Sequence, residues 1–307
     1  MEFSDQQAQR QSHVRKERKR KRVLRIGSFF LLLIGLLVLL YPTISNRFNQ
    51  WRAERLSSSY QEAVKAIPDA SIPRELERAR IYNKKLEGES VPNVFALRLA
   101  HNDQVYDSLL NVTGDGMMGE VEIPVIQVKI PIYHYTTDQV LQQNVGHLAG
   151  SSLPIGGRGT HAVLSAHRGL PSAKLFTDLN LLKKGDRFFL RVLDQILAYE
   201  VDQLQEVEPT ETASLAIERD KDLCTLFTCT PYGVNTQRLL VRGHRVPYTP
   251  KEASQALQEA SKETRVDTQR LSIHVLAAVV GASAALLPFF LWQRHKKKQA
   301  ENPEDRP

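Results

Sequence analysis

Cysteine is scarce in this chain of 307 residues, which contains only Cys224 and Cys229. They are five positions apart in a segment that reads as a β-strand, where such residues point to opposite faces. Two cysteines placed in this way cannot form a disulfide without moving the backbone. We therefore predict no disulfide and a packing role for Cys224, which leaves Cys229 as the candidate for chemistry.

Three other patterns are missing. No cluster of His, Cys, Asp or Glu has metal-ligand spacing, so we expect no metal ion and no other cofactor. No G-x-S-x-G motif accompanies Ser165, which argues against a serine hydrolase. The net charge of +7 is concentrated in residues 1–25, which carry +6, and 292–307, which carry +2, so the rest of the chain carries −1. The middle therefore lacks the basic field that nucleic acid requires as a partner.

Charge is also missing from two long apolar segments, residues 26–46 and 271–293, each long enough to cross a bilayer as a helix. The Lys/Arg cluster next to each segment lies on its terminal side, and such clusters stay in the cytoplasm. The sequence therefore predicts a multi-pass protein of the cell membrane with both termini cytoplasmic, residues 47–270 outside, and membrane lipid as a partner.

Each apolar segment has a competing interpretation. The first, with its basic flank, could be a cleaved signal peptide, but no small-x-small cleavage site follows Tyr41. An uncleaved anchor is therefore favoured. The second could be a buried core helix, but its length and the basic run at 294–298 favour a membrane span.

Between the spans, residues 47–86 predict a helical stalk that either lies on the folded domain or lifts it from the membrane. Apolar residues recur there at threes and fours, Pro68 interrupts the pattern, and Ser71 is a candidate cap where it restarts. Residues 87–115 lack periodicity and predict a long loop region.

From residue 116 the pattern changes to short strands, which favours a β-barrel or a sandwich. The expected strands are 120–124, 126–132, 160–166, 187–192, 197–207, 223–230 and 238–245, with short helices at 136–143 and 174–182. The predicted organisation is a basic cytoplasmic tail (1–25), a transmembrane helix (26–46), the stalk (47–86), the loop region (87–115), the catalytic β-domain (116–248), a juxtamembrane helix (249–270), a second transmembrane helix (271–293) and a cytoplasmic tail (294–307).

The last two predicted strands bring Cys229 close to an arginine. If strands 223–230 and 238–245 form an antiparallel hairpin with Cys229 opposite Arg238, the two Cβ atoms are about 5 Å apart on one face. A cation beside a thiol favours the thiolate. Arginine can also donate to the oxyanion that forms when a thiolate attacks a carbonyl.

A cysteine nucleophile also needs a proton carrier, for which histidine is the natural choice. His167 is the best candidate, at the end of an apolar strand and the start of a Gly/Pro loop. His147, His161 and His244 also lie near strand ends, so spacing leaves the choice open, although the first two read as structural. The histidines excluded because they lie in the tails or the second span are His13, His274 and His295.

The segment TLFTCTPYGVNTQR, residues 225–238, resembles the signature of sortases, the surface transpeptidases of Gram-positive bacteria. The segments SAHRGLP (165–171), GDGMMG (114–119) and GHL (146–148) are similar to those of class C, the pilin-polymerising sortases. The resemblance covers roughly residues 80–248, and two membrane spans are also typical of class C.

The resemblance implies a mainly β fold, a closed sortase-type β-barrel of about eight strands with short helices. It implies Cys229 as the nucleophile, His167 as the proton carrier and Arg238 as the stabilising cation. The implied reaction cleaves an LPXTG-type sorting signal between Thr and Gly through a thioester and transfers it to a lysine of a pilin subunit. The alternatives are a housekeeping sortase that uses a cell-wall precursor and a catalytically silent scaffold for pilus assembly.

One segment departs from the class C pattern. Those enzymes commonly carry a lid motif, Asp-Pro-aromatic, in the loop before the barrel. The matching stretch here keeps the aromatic as Phe95, but Asn93 replaces the carboxylate and Val94 the proline. Because an amide cannot form a charged pair with Arg238, we expect a looser lid.

Overall fold

The computed structural model describes residues 2–87 and 103–249. The helices are α1 (Glu2–Ala66), α2 (Ser71–Lys85), α3 (Gln104–Ser108) and α4 (Asp138–Leu141). The strands are β1 (Met117–Ile123), β2 (Val128–His134), β3 (Val145–His147), β4 (Thr160–Ser165), β5 (Arg187–Val192), β6 (Gln195–Val207), β7 (Asp222–Thr230) and β8 (Gln237–Val246).

Helix α1 continues unbroken through the first predicted span and into the stalk, with Pro42 inside it. Its most apolar stretch has a mean hydropathy of 2.6 and is not buried against the protein, so this helix is apolar enough to cross a membrane. The helix therefore does not end at the predicted boundary between the span and the stalk, residue 47. The second predicted span, 271–293, lies outside the described residues.

Beyond the span, α1 packs against the barrel. Tyr60 is buried, and its hydroxyl donates to the Met118 carbonyl (2.9 Å) and accepts from the Leu193 N–H (3.0 Å). One residue further, the Gln61 amide donates to the buried carboxylate of Glu120 (3.4 Å). The stalk therefore lies on the folded domain.

The stalk breaks where proline predicts it, and α2 begins at Ser71. The prediction that Ser71 caps this helix is wrong: the cap position is Ala70, already in the right-handed helical conformation and without a side-chain bond. Helix α2 is fixed instead by Asn83, which is buried. Its amide donates to the Leu153 carbonyl (3.1 Å) and accepts from the Leu153 N–H (2.7 Å).

The eight strands form a closed barrel in the order β1-β2-β3-β4-β7-β8-β6-β5. This confirms the predicted mainly β barrel. The β2–β3 and β4–β7 pairs are parallel and the others are antiparallel. Strand β3 was not predicted, because three residues are too short to show a periodic pattern.

Two local predictions need correction. The predicted helix at 174–182 is a single 3-10 turn, Leu179–Leu181, preceded by turns. Leu175 has a φ of 40°, which a right-handed helix does not accept, and the Lys174 amine is bound by the Ile126 carbonyl (2.8 Å). The predicted loop region also contains α3, capped by Asp103, whose carboxylate accepts from two backbone N–H groups.

Candidate active site

Strands β7 and β8 form the predicted hairpin, with Cys229 directly opposite Arg238. The connecting loop is closed by the Pro231 carbonyl, which accepts from the backbone N–H groups of Val234 (3.1 Å) and Asn235 (2.9 Å). The Arg238 guanidinium donates to the Asn235 carbonyl at 3.1 Å, so it is held at the mouth of this loop. Both Cys229 and Arg238 are half-buried.

The two cysteines lie on opposite faces of β7, as the strand period requires, and neither forms a disulfide. Cys224 is completely buried in the main hydrophobic core. Burial raises the pKa of the Cys224 thiol well above its usual range, so that sulfur stays protonated. Of the two cysteines, only Cys229 is partly accessible to solvent. This confirms the prediction that Cys224 is a packed residue.

His167 reaches this site through a pairing between distant parts of the chain. Strand β4 runs parallel to β7, with Ser165 opposite Phe227, and the Thr228 hydroxyl donates to the Ala166 carbonyl (2.8 Å). Continuing this register by two residues, just beyond the end of β4, brings His167 to the level of Cys229. Because β4, β7 and β8 are neighbours about 4.8 Å apart, His167, Cys229 and Arg238 lie in a row at one end of the barrel.

Two of the alternative histidines are structural, as predicted. His147 is fully buried, with Nδ1 2.6 Å from the Tyr106 hydroxyl and Nε2 against a backbone carbonyl. His161 is also buried, with its ring nitrogens bound by the Thr225 hydroxyl (2.7 Å) and the Ala216 carbonyl (2.9 Å). Burial lowers the pKa of each imidazole to about 4, so both are neutral near pH 7.

The remaining alternative, His244, is excluded by its distance from the thiol. It lies opposite Leu223, six positions along β7 from Cys229. At about 3.4 Å per residue this is roughly 20 Å from the nucleophile. Of the four histidines left open by the sequence, His167 is therefore the one beside Cys229.

The segment that follows His167, residues 168–177, is called here the His167 loop. It folds back on itself, because the Phe176 N–H donates to the His167 carbonyl (3.1 Å) and the Gly169 N–H donates to the Thr177 hydroxyl (3.1 Å). Gly169 has a φ of 80°, and a Cβ there would stand 2.9 Å from the Tyr232 ring. Glycine therefore allows the loop to pass close to the hairpin that carries Cys229.

Arg168 ties the same loop to the end of β7. Its guanidinium donates to the Thr177 carbonyl (3.1 Å) and to the Thr230 hydroxyl (3.1 Å), and it lies 6.0 Å from the centre of the Tyr232 ring. The Thr230 hydroxyl in turn donates to Glu206 (3.3 Å). These neighbours of the site were not predicted, since only the non-local β4–β7 pairing brings them together.

Comparison with known proteins agrees with this geometry. The family described as Sortase domain matches residues 121–246. The solved sortase C1 from Streptococcus agalactiae is 44% identical, with a TM-score of 0.60, and the match covers 64% of this chain and 100% of that one. The chain belongs to the sortase family. Sortase C-1 from Actinomyces oris is also 44% identical to this sortase, over 58% of this chain and 99% of that one, with a TM-score of 0.56.

The curated relatives of this sortase are named sortase A, not sortase C. Sortase A of Bacillus anthracis is 28% identical over 130 residues, 42% of this chain. The chain spans 60% of the length of that relative. Sortase A of Listeria monocytogenes is 22% identical over 216 residues, 70% of this chain and 88% of that protein. The solved neighbours are thus class C sortases, whereas the curated relatives are named sortase A.

The remaining site predictions concern the lid and metal ions. Asn93 and Phe95 lie outside the residues that the structure describes, so their role as a lid stays a prediction. Within residues 2–87 and 103–249, this sortase has no group of three or more His, Cys, Asp or Glu side chains that could hold a metal ion.

Proposed function

We propose that this sortase is a membrane-anchored cysteine transpeptidase that cleaves an LPXTG-type signal between Thr and Gly and joins the Thr to a pilin lysine. The observation that carries the proposal is the row formed by His167, Cys229 and Arg238 across three neighbouring strands. A thiol, an imidazole and a guanidinium at one strand end are the groups that acyl transfer requires.

The proposed reaction proceeds in two steps. The Cys229 thiolate attacks the Thr carbonyl carbon, and Arg238 donates to the resulting oxyanion. His167 as imidazolium gives its proton to the Gly nitrogen, the C–N bond breaks, and a thioester to Thr remains. A lysine amine then attacks the thioester, its proton passes to His167, and the C–S bond breaks to release the isopeptide product and the thiolate.

The pilin acceptor is supported by the solved neighbours. Sortase C of Streptococcus pneumoniae, 40% identical over 64% of this chain, is described with its pilin substrate specificity, and another neighbour is sortase C1 of a pilus island. The second candidate acceptor is a cell-wall precursor, which the sortase A names of the curated relatives favour. Their identities of 22% and 28% are much lower, so we place the pilin first.

The membrane arrangement is part of the proposal. Helix α1, which is apolar enough to cross a membrane, is the first anchor. The sequence supplies the rest of the arrangement: the second span at 271–293, the cytoplasmic position of both termini and the domain boundaries. Secreted substrates that are briefly tethered to the same membrane would meet the enzyme on one surface. Confinement of both partners raises their effective concentration.

Full-length enzyme in lipid nanodiscs, given a purified pilin subunit and, separately, a peptide amine that stands in for the wall precursor, tests the proposal. We expect covalent pilin ladders, their loss in Cys229→Ala, and their retention in the matched variant Cys224→Ala, because only Cys229 is accessible. Product with the peptide amine alone would favour the housekeeping function. Ladders that persist in Cys229→Ala would favour a scaffold.

A further inference from the structure

The juxtamembrane part of α1 contacts the His167 loop directly. Two side chains of α1 donate to the Ser172 carbonyl: the Ser45 hydroxyl at 2.9 Å and the Asn49 amide at 2.7 Å. In the opposite direction, the Lys174 N–H donates to Asn46 Oδ1 at 3.0 Å. Three hydrogen bonds thus join one side of the membrane helix to two backbone groups at the centre of the loop.

These contacts lie close to the membrane. The strongly apolar part of the uncharged segment 26–46 ends near Tyr41, and Asn49 is about 12 Å beyond Tyr41 along the helix axis at 1.5 Å per residue. Ser45 and Asn49 are four positions apart, so they lie above one another on the same face, and Asn46 is beside them. The helix proposed to cross the membrane therefore holds the loop at the C-terminal end of its uncharged segment.

The far side of the loop is held at the active site. The Lys174 backbone lies two residues before Phe176, whose N–H donates to the His167 carbonyl. At the other end of the loop, Arg168 is bound to Thr230, the residue after Cys229. A shift of residues 172–174 would therefore be transmitted to His167 through the short path from Lys174 to Phe176.

We infer that Asn49 is a positioning residue that keeps His167 aligned with Cys229, so that catalysis depends on the position of the membrane helix against the His167 loop. The inference rests on the proposed roles of His167 and Cys229. It assigns α1 a second task beyond anchoring. Misplacement of a reacting group by about 1 Å can lower a rate by roughly 100-fold, so a modest displacement of the loop is sufficient for a measurable effect.

Asn46 uses its amide oxygen as an acceptor, whereas Asn49 uses its amide nitrogen as a donor, and this difference provides a matched test. Asn46 accepts a hydrogen bond through Oδ1, and Asn46→Asp keeps that acceptor. Asn49 donates to a carbonyl oxygen, and Asn49→Asp removes the donor and brings a carboxylate against that oxygen. The same substitution, with the same added charge, is thus made three residues apart on one helix with opposite expected results.

The experiment uses the full chain in lipid nanodiscs and a fluorogenic sorting-signal peptide. For Asn49→Asp we expect kcat to fall by roughly 10- to 100-fold with little change in KM, and the pH–rate profile to shift, because the proton carrier is displaced and not the peptide site. For Asn46→Asp we expect kcat within about twofold of wild type and an unchanged profile. Asn49→Ala, which adds no charge, should show an intermediate loss.

Equal losses in the two Asp variants, or a wild-type kcat in Asn49→Asp, would overturn the inference. Failure of the proposed function has a different signature, namely no cleavage by the wild type or full cleavage by Cys229→Ala. In that event the alkylation rate of Cys229 in the two Asp variants still tests whether α1 is coupled to the active site. A slower rate in Asn49→Asp alone would support the coupling, and identical rates would contradict it.

Discussion

At the scale of single residues, the two cysteines show how one strand gives the same side chain opposite properties. Cys224 and Cys229 are both on β7, but the odd separation sends one into the core and the other to the hairpin surface beside Arg238. The desolvated thiol of Cys224 in the core stays protonated, whereas the Cys229 sulfur is partly exposed and lies opposite Arg238. Reactivity here follows from the strand period.

This contrast predicts the alkylation pattern. In the folded protein at neutral pH, iodoacetamide should modify Cys229 and leave Cys224 unmodified, since burial raises the pKa of the Cys224 thiol. In denaturant both should react. Peptide mass mapping distinguishes the two sites, and Cys229→Ser should remove all native labelling; a label on Cys224 in the folded protein would contradict the assignment.

Arg168 should influence turnover without touching the reacting atoms. Arg168→Ala removes the bonds to Thr177 and Thr230 that fix the His167 loop, so we expect kcat for peptide cleavage to fall by roughly 10- to 100-fold. Arg168→Lys should recover part of the loss, because it can replace one of the two bonds. The control is Arg158→Ala, whose side chain is 83% exposed and should not affect kcat. Equal activity in all three variants would exclude a positioning role.

How far the sequence determines the site depends on which contacts are local. The Cys229–Arg238 pair was predictable because a hairpin sets its register over a few residues. The choice of His167 was not, because the parallel pairing of Ser165 with Phe227 joins residues far apart in the chain. Strand periodicity carries no information about which distant strand is the neighbour. Resemblance to the sortases supplied that choice, and the barrel order explains it.

At the scale of elements, α1 is a continuous helix with two environments. Its most apolar stretch is not buried, and its later part packs on β1 through Tyr60 and Gln61. Sequence patterns predicted the span, the stalk and the break at Pro68, all of which are local signals. They did not show that the stalk lies on the barrel, because an amphipathic pattern does not indicate which surface the apolar face of a helix packs against. They placed a helix at 174–182, a segment whose conformation is set by contacts with α1 and Ile126.

The contact between α1 and the barrel predicts a stability effect at Tyr60. Burial raises the pKa of this phenol to about 12, so it remains a donor under ordinary conditions. Tyr60→Phe leaves the Met118 carbonyl and the Leu193 N–H unpaired, which should lower the free energy of unfolding by about 1–3 kcal/mol in urea titrations. The control Ser58→Ala, exposed and bonded only within α1, should change it little. Equal midpoints for both variants would mean that this contact does not hold the helix.

The lid prediction also belongs to this scale. Asn93→Asp restores a carboxylate that can form an ion pair with Arg238, whereas the amide of Asn93 carries no charge. We therefore expect slower alkylation of Cys229 in Asn93→Asp than in wild type. Asn93→Gln, which keeps the amide, should behave like wild type. The measurement is a time course of labelling at neutral pH, and identical rates in all three proteins would argue against a role for residue 93 in closure.

At the scale of the whole molecule, two buried histidines make the stability of the barrel depend on pH. His147 and His161 are held neutral by burial, which lowers each pKa from 6.5 to about 4. In the unfolded chain both return to about 6.5, so below that pH the unfolded state binds more protons than the folded state. Stability is then lost as the pH falls from about 6.5 towards 4, and a pKa difference of this size corresponds to on the order of 3 kcal/mol for each histidine.

The expected result is a free energy of unfolding that declines between about pH 6.5 and pH 4 more steeply in wild type than in His161→Gln, which does not titrate there. Urea titrations of the detergent-solubilised chain at several pH values give both curves. The matched control is His244→Gln, the same substitution at an exposed histidine. Parallel curves for wild type and His161→Gln would mean that His161 is not neutral in the folded barrel. The His161 ring bonds to Thr225 on β7, the strand that carries Cys229. Protonation of His161 would therefore weaken the pairing of β4 with β7, which aligns His167 with Cys229.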